Sequence, residues 1–212
     1  MDLPTLLVSI LAVLLVGSYF AGGLLNRRRG EALILSLREA LGAAAGARLT
    51  WLSRNAFRLE LPEPLPGVNR LAATVLLAPR EALIIWGTWA LQGRGDLLDL
   101  KADLTAPPHG AGVVFDPRHR LGREAWQAAA AAGTPVSEAA SGGLRVAAFD
   151  EDGLSLMERL LPLASKAGKI VLLEVKATQP RLTLLVSIRG TPRASTADLA
   201  ATVSGLVEAA GA

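Results

Sequence analysis

Leu3-Pro-Thr-Leu-Leu-Val-Ser-Ile-Leu-Ala-Val-Leu-Leu-Val-Gly-Ser-Tyr-Phe-Ala-Gly-Gly-Leu-Leu25, followed at once by Asn26-Arg27-Arg28-Arg29, decides the architecture of this 212-residue chain. The run has no charged side chain, and about 23 residues at ~1.5 Å each give ~34 Å, enough to cross a hydrocarbon core of ~30 Å. A secretory leader would show the opposite polarity, with a basic start, a shorter apolar centre and a small-residue cleavage site. Here the start is acidic, through Asp2, and the basic cluster follows the run. The segment therefore reads as a single-pass anchor over residues 1–29, and Gly22 and Gly23 near its inner end read as small filler. By the positive-inside rule Arg27, Arg28 and Arg29 belong on the cytoplasmic face, with the amino terminus outside. The same three arginines are candidate contacts to anionic lipid heads, at about 1 kcal/mol per basic residue.

The charge balance changes once this cluster is set apart. The chain has 22 basic and 19 acidic residues, and leaving out Arg27, Arg28, Arg29 and Asp2 leaves 19 against 18. A nearly neutral remainder argues against direct nucleic-acid binding, which needs a basic footprint across the domain. The chain has no cysteine, which excludes disulfides, thiolate metal sites and cysteine nucleophiles and suits a reducing compartment.

Residues 30–212 are long enough to bury one core as a single cytoplasmic domain. Glu31 to Ala45 reads as an amphipathic helix with Leu33, Leu37, Ala40 and Leu41 on one side, coupling anchor to domain. Arg48 to Leu61 alternates as a strand does, and Pro62, Pro64, Pro66 and Gly67 then force a turn. Downstream, Val75-Leu-Leu-Ala-Pro79-Arg80-Glu-Ala-Leu83 lines up with Val113-Val-Phe-Asp-Pro117-Arg118-His-Arg-Leu121, with a looser third copy at Val186 to Arg193. Proline suits a first helical turn, so each copy reads as a strand running into a helix opened by proline. Strand pairs precede the junctions: 56–61 with 70–77, 97–105 with 112–115, and 169–177 with 181–188. A further strand is expected over 144–149, a loop insert over 133–143, and a helix over 153–166 that Pro162 should kink or split. The fold class is α+β, built from repeated strand–strand–helix units with an antiparallel sheet and helices packed on one side.

No motif points to catalysis. Gly93-Arg-Gly95 has Leu98 where a dinucleotide turn needs glycine, and Gly168-Lys169 has Ile170 and Leu163 where a phosphate loop needs Ser or Thr and Gly. Asp150-Glu-Asp-Gly153 has Ser155 and Leu161 where a calcium loop needs Gly and Glu, and acidic residues opening a helix account for it. His109 and His119 lack companions for a metal shell, and no Gly-x-Ser-x-Gly elbow presents a serine. No cofactor, metal or catalytic residue is implied.

The helix expected from Pro79 to Leu91 has almost no polar face, and Trp86 and Trp89 share a side at i, i+3. The plainer reading is a central helix buried by its neighbours. The alternative makes Leu83, Trp86 and Trp89 contacts to the bilayer interface or to a membrane partner.

The order of elements resembles the calumin family. The residues that carry this are the anchor with its basic exit, a Trp-containing strand at Trp51, Leu76 to Leu83, Val113-Val114-Phe115, and Pro180-Arg181 running into a strand to Ile188 before a final helix. Calumin-family proteins are coiled-coil-domain-containing proteins of the endoplasmic reticulum that partner the Asterix subunit in the translocon-associated intramembrane chaperone. The resemblance implies a globular cytosolic domain beside the protein-conducting channel that assists insertion of multi-spanning membrane proteins without catalysis. It corresponds to a minimal form, with Met1-Asp2 in place of the family's acidic lumenal region and Ala212 in place of its charged coiled-coil tail. Calcium binding and tail-mediated ribosome contact are therefore not carried over. The expected partners are membrane lipid and either the channel or a small multi-spanning protein. A membrane-tethered enzyme with a site assembled from distant residues, and a lipid-surface module using the arginines and the Trp86 helix, are the alternative readings.

Overall fold

The structure, a computed structural model, describes residues 2–40, 46–62, 66–92, 94–133, 135–188 and 199–211. It is α+β: a long apolar amino-terminal helix leads into a nine-stranded sheet in which every pairing is antiparallel. Helix α1 (Leu3–Ala40) is continuous for 38 residues. The amphipathic segment expected after the anchor is thus the same helix, and residues 41–45 lie outside the described residues. The boundary drawn at residue 29 falls inside α1, whose Leu33, Ile34 and Leu37 are buried in the domain core.

The strands are β1 (Arg48–Ser53), β2 (Ala56–Pro62), β3 (Val68–Leu76), β4 (Asp96–Leu104), β5 (Gly112–Phe115), β6 (Ser137–Ser141), β7 (Leu144–Ala148), β8 (Lys169–Val175) and β9 (Leu182–Ile188). Their spatial order is β1-β2-β3-β4-β9-β8-β5-β7-β6. The expected pairs β2 with β3 and β8 with β9 form. The expected pair 97–105 with 112–115 does not, because the β8–β9 hairpin inserts between them. Local alternation gives each strand's face but carries no information about which hairpin intervenes. Residues 133–143, expected as a loop insert, contain β6, paired to β7 through a tight turn at Gly142 and Gly143. Both glycines have positive φ (57° and 82°), the requirement of that hairpin turn.

Helices cover both faces, correcting the one-sided packing expected. Part of α1, α4 (Gly153–Ala167) and α5 (Leu199–Gly211) bury Leu33, Leu37, Leu156, Met157, Leu160, Val203 and Leu206 against one face. On the other, α3 (Arg120–Ala132) covers only part of the sheet, with Trp126 stacked on Phe115 at 5.4 Å between ring centroids. Strand β9, central and covered on both sides, is buried at all seven positions, whereas β2 and β3 alternate buried with more open positions. Pro162 sits within α4, which is assigned as one unbroken helix.

The two proline junctions are alike, but neither proline opens a helix directly. After β3, Pro79 to Ala82 form a turn and α2 spans Leu83–Leu91; after β5, Pro117 to His119 do the same and α3 starts at Arg120. The third copy, from residue 189 onward, lies outside the described residues.

Candidate functional site: a polar clamp and an apolar groove along α1

One stripe of α1 makes the site. Ser18, Gly22, Asn26, Arg29, Gly30, Leu33 and Leu37 recur at helical spacing, and this stripe is turned toward the domain. At Gly22 the helix meets the backbone of the β3–α2 turn: a Cβ there would lie 2.2 Å from the Arg80 carbonyl oxygen. Only glycine permits this approach. Gly23, one residue on, faces open space.

One turn further, Asn26 is 1% exposed and is the hub of a polar cluster. Its Nδ2 donates toward Asn55 Oδ1 (2.9 Å), the Ala78 carbonyl (2.9 Å) and Glu81 Oε2 (3.0 Å), and its Oδ1 accepts from Arg80 Nη1 (2.8 Å). Asn55 Nδ2 also donates to Glu81 Oε1. Asp96, fully buried at the start of β4, accepts the Ala78 N–H at 2.8 Å and pairs with Arg80 (3.0 Å) and with Arg29. A buried carboxylate is tolerated only when its oxygens are fully engaged, and two guanidiniums and an amide achieve that. The cluster clamps α1 to the β1–β2 turn, the β3–α2 turn and β4.

The three candidate lipid-contact arginines therefore differ. Arg29 turns into the clamp. Arg27 is largely exposed and pairs with Glu31 at 3.0 Å, and Arg28 is exposed and makes no ion pair among the described residues. The other candidates lie on α2, which has no buried residue. Leu83 (42% exposed) and Trp86 (39%) are open and Trp89 is half-buried, so the reading of α2 as a central core helix is overturned. The Arg94 guanidinium lies over the Trp89 ring at 5.9 Å.

Beside the clamp lies an open groove of about 1200 Å³ between α1 and β1, an edge strand. Tyr19, Phe20, Gly23, Leu24, Ile34 and Leu35 line one side and Leu49, Trp51 and Leu52 the other, with Arg27, Arg54 and Glu81 at the rim. Trp51 is braced by Phe57 (5.4 Å) and by Gly30, whose missing side chain leaves room for the indole. Arg54, at the β1–β2 turn, donates to the Tyr19 hydroxyl and lies 5.7 Å from its ring centre. The groove exceeds the ~300–1,000 Å³ of typical small-molecule sites and has an apolar lining suited to a polypeptide segment.

Other polar groups lie outside the clamp and the groove lining. Asp150 Oδ2 accepts the Ala111 N–H at 2.8 Å and ties the turn ahead of α4 to the residue that precedes β5. Asp116 accepts the Arg118 N–H and pairs with Lys169 at 3.1 Å; burial pushes its carboxyl up, but these partners outweigh it and hold the pKa below the usual value. His119, half-buried ahead of α3, is held below its usual pKa by burial and by Arg94, with Asp116 opposing. His109 is exposed. Among the described residues, no group of three or more His, Asp or Glu is placed to hold a metal ion.

Sequence reasoning missed Asn26, Asn55, Arg80, Glu81 and Asp96. The available signal was the spacing Ser18, Gly22, Asn26, Gly30, a small-or-polar stripe carried from the apolar run into the helix beyond it. No protein-family model matches this chain and no curated protein matches it, so the likeness to the calumin family rests on the pattern and order of elements alone.

Proposed function

We propose that this chain is a membrane-anchored, non-enzymatic factor that assists insertion or folding of membrane proteins, holding an apolar client segment in the groove between α1 and β1. In this reading α1 is the single span, the amino terminus is outside and the sheet domain is cytoplasmic, beside a protein-conducting channel or a small multi-spanning partner. The groove is the observation that carries the proposal: its apolar walls begin within the membrane-compatible part of α1, at Tyr19 and Phe20, and continue onto the domain at Trp51 and Leu52. A transmembrane segment leaving a channel sideways needs a surface of this kind, apolar and open along one side. The basic cluster following the apolar run favours an anchor over a leader and favours the cytoplasmic orientation. The fit of Gly22 and Asn26 to the domain favours retention of the run in the working protein.

Photocrosslinking from position 52 of the full-length protein in native membranes tests this. Leu52 lines the groove, and Lys101, on β4 and outside the groove lining, is the control position. The reading expects adducts to apolar segments of multi-spanning proteins from position 52 only, abolished by Leu35→Asp. Adducts only to lipid, or equal adducts from position 101, overturn it. Labelling of Lys101→Cys by an impermeant maleimide only after permeabilisation is the expected topology result; labelling in intact cells reverses the orientation.

A further inference from the structure

The strand register defines two ends of the sheet. One end carries the β1–β2 turn, the segment 77–95 that contains α2, the turn 116–119 and the start of β8; the other carries residues 105–111 and 149–152. Helix α1 arrives at the first end, where Gly22 and Asn26 meet residues 55 and 78–81, and then crosses the core face. Any membrane crossed by α1 therefore lies on that side.

The distance available is short. Tyr19 is already engaged by Arg54, so the free part of the helix is Leu3 to Ser18, about 16 residues or ~24 Å at ~1.5 Å per residue. A hydrocarbon core is ~30 Å thick, so either the bilayer thins or the end of the domain enters the interface. That end is built for entry. Helix α2, Leu-Ile-Ile-Trp-Gly-Thr-Trp-Ala-Leu, has no charge and no buried residue, with Ile84 72% and Leu91 91% exposed. In water such a surface is costly, whereas at the headgroup boundary its aliphatic side chains and two tryptophans are favoured. Around it the exposed cations Arg54, Arg94, Arg118 and Arg123 belong to the same end. The nearby carboxylates are engaged: Asp96 and Glu81 in the clamp, Asp116 with Lys169, Glu124 with Arg120. The far end carries Asp150, Glu151 and Asp152 together with Arg70, Lys176 and Arg181, of which Arg70 and Lys176 are paired with Glu60 and Glu174.

We infer that α2 is an interfacial helix, lying in the headgroup boundary of an anionic bilayer, and that the sheet end carrying it is seated on that surface by a ring of arginines. The inference rests on α1 being an anchor but not on the groove's client. Seating fixes the domain's height and tilt, so the mouth of the groove opens at the level of the lipid heads rather than in free cytoplasm.

The chain has no cysteine, so single nitroxide labels are placed without background. Full-length protein carrying a label at Leu11→Cys, Ile84→Cys, Leu91→Cys or Lys101→Cys is reconstituted in vesicles of phosphatidylcholine and phosphatidylglycerol. Collisional relaxation by oxygen and by a neutral nickel chelate then reports depth. The expected result is an oxygen-favouring ratio at Ile84 and Leu91, between the deep value at Leu11 and the aqueous value at Lys101. Aqueous ratios at Ile84 and Leu91 with a deep Leu11 overturn the seating of α2 and leave the anchor standing. An aqueous ratio at Leu11 overturns both.

Discussion

Arg27, Arg28 and Arg29 are indistinguishable as a string, and the clamp makes them unequal. The perturbation is alanine at each in turn. Arg29 is 22% exposed at its side chain and pairs with a carboxylate that is fully buried. Removing one member of a fully buried ion pair costs about 3–5 kcal/mol. Here Asp96 keeps Arg80 at 3.0 Å and the Ala78 N–H at 2.8 Å, so the loss is closer to that of one hydrogen bond to a charged group, roughly 1.5–3 kcal/mol. Partial exposure of Arg29 pulls the expectation to the lower half, about 2 kcal/mol. Arg28→Ala removes an exposed side chain with no ion partner among the described residues and stays within ~0.5 kcal/mol. Arg27→Ala loses only a surface i, i+4 pair, worth a few tenths. For a domain of this size 2 kcal/mol is about 4–8 °C in midpoint. Thermal unfolding of the full-length protein in mild detergent, followed by near-ultraviolet circular dichroism, separates the three. Arg29→Lys keeps the charge but not the guanidinium geometry, so it recovers only part of the loss. An Arg28→Ala loss equal to that of Arg29→Ala, or an Arg29→Ala loss under ~0.5 kcal/mol, refutes the clamp as an energetic feature.

The neighbouring glycines give a second contrast. Gly22→Ala drives a Cβ into the Arg80 carbonyl and should destabilise by about 1–3 kcal/mol despite alanine's better helix propensity, while Gly23→Ala should be neutral or slightly stabilising; equal behaviour in a detergent melt defeats the packing argument. Leu37→Ala, fully buried where α1 crosses the core, should cost about 2–5 kcal/mol by urea titration, and a loss below ~1 kcal/mol means that this end of α1 is not part of the core. Asp116 has a depressed carboxyl pKa, so its stabilisation is complete above the unfolded value of ~3.9 and disappears as pH falls through the lower folded value. Asp116→Asn should therefore lower the urea midpoint at neutral pH, with the difference from the natural chain shrinking only on strong acidification. A difference that grows as pH falls contradicts that sign.

Much of the domain was legible because burial imposes a period. The β2–β3 pair shows alternation along one covered face, and the β8–β9 pair is apolar at most positions and almost continuously buried, Thr183 and Ser187 included, because helices cover both sides. Sheet order was not legible. Strands β4 and β5 are consecutive in sequence and separated in space by a hairpin some sixty residues later, a long-range choice that no local pattern encodes. The site was the least legible part. Composition changes abruptly at Asn26, which suggests two segments, while the stripe through Ser18, Gly22, Asn26, Gly30, Leu33 and Leu37 runs through the change. Reading for composition separates apolar run from domain, and reading for helical phase joins them.

That continuity bears on mechanism. Sliding α1 by one turn would move Asn26 and Arg29 by ~5.4 Å and leave Asp96 with a single cation. It would also bring a side chain to the position where only Gly22 fits. Both consequences oppose the slide, so the height of the groove relative to the apolar span is fixed by covalent and packing geometry together. Under the proposed function, a fixed groove would suit holding: a client segment would meet walls already in place, and no ordering of a lid would draw on its binding energy. Under the same proposal, selectivity would fall to fit, with an apolar segment matching Phe20, Leu24, Trp51 and Leu52 beside the charged Arg27, Glu31, Arg54 and Glu81. With Arg27 and Arg54 balanced by Glu31 and Glu81, charges flanking an apolar segment should change capture little with either sign, whereas a charge placed within the segment should weaken it, a contrast that crosslinking from position 52 with paired client variants measures directly.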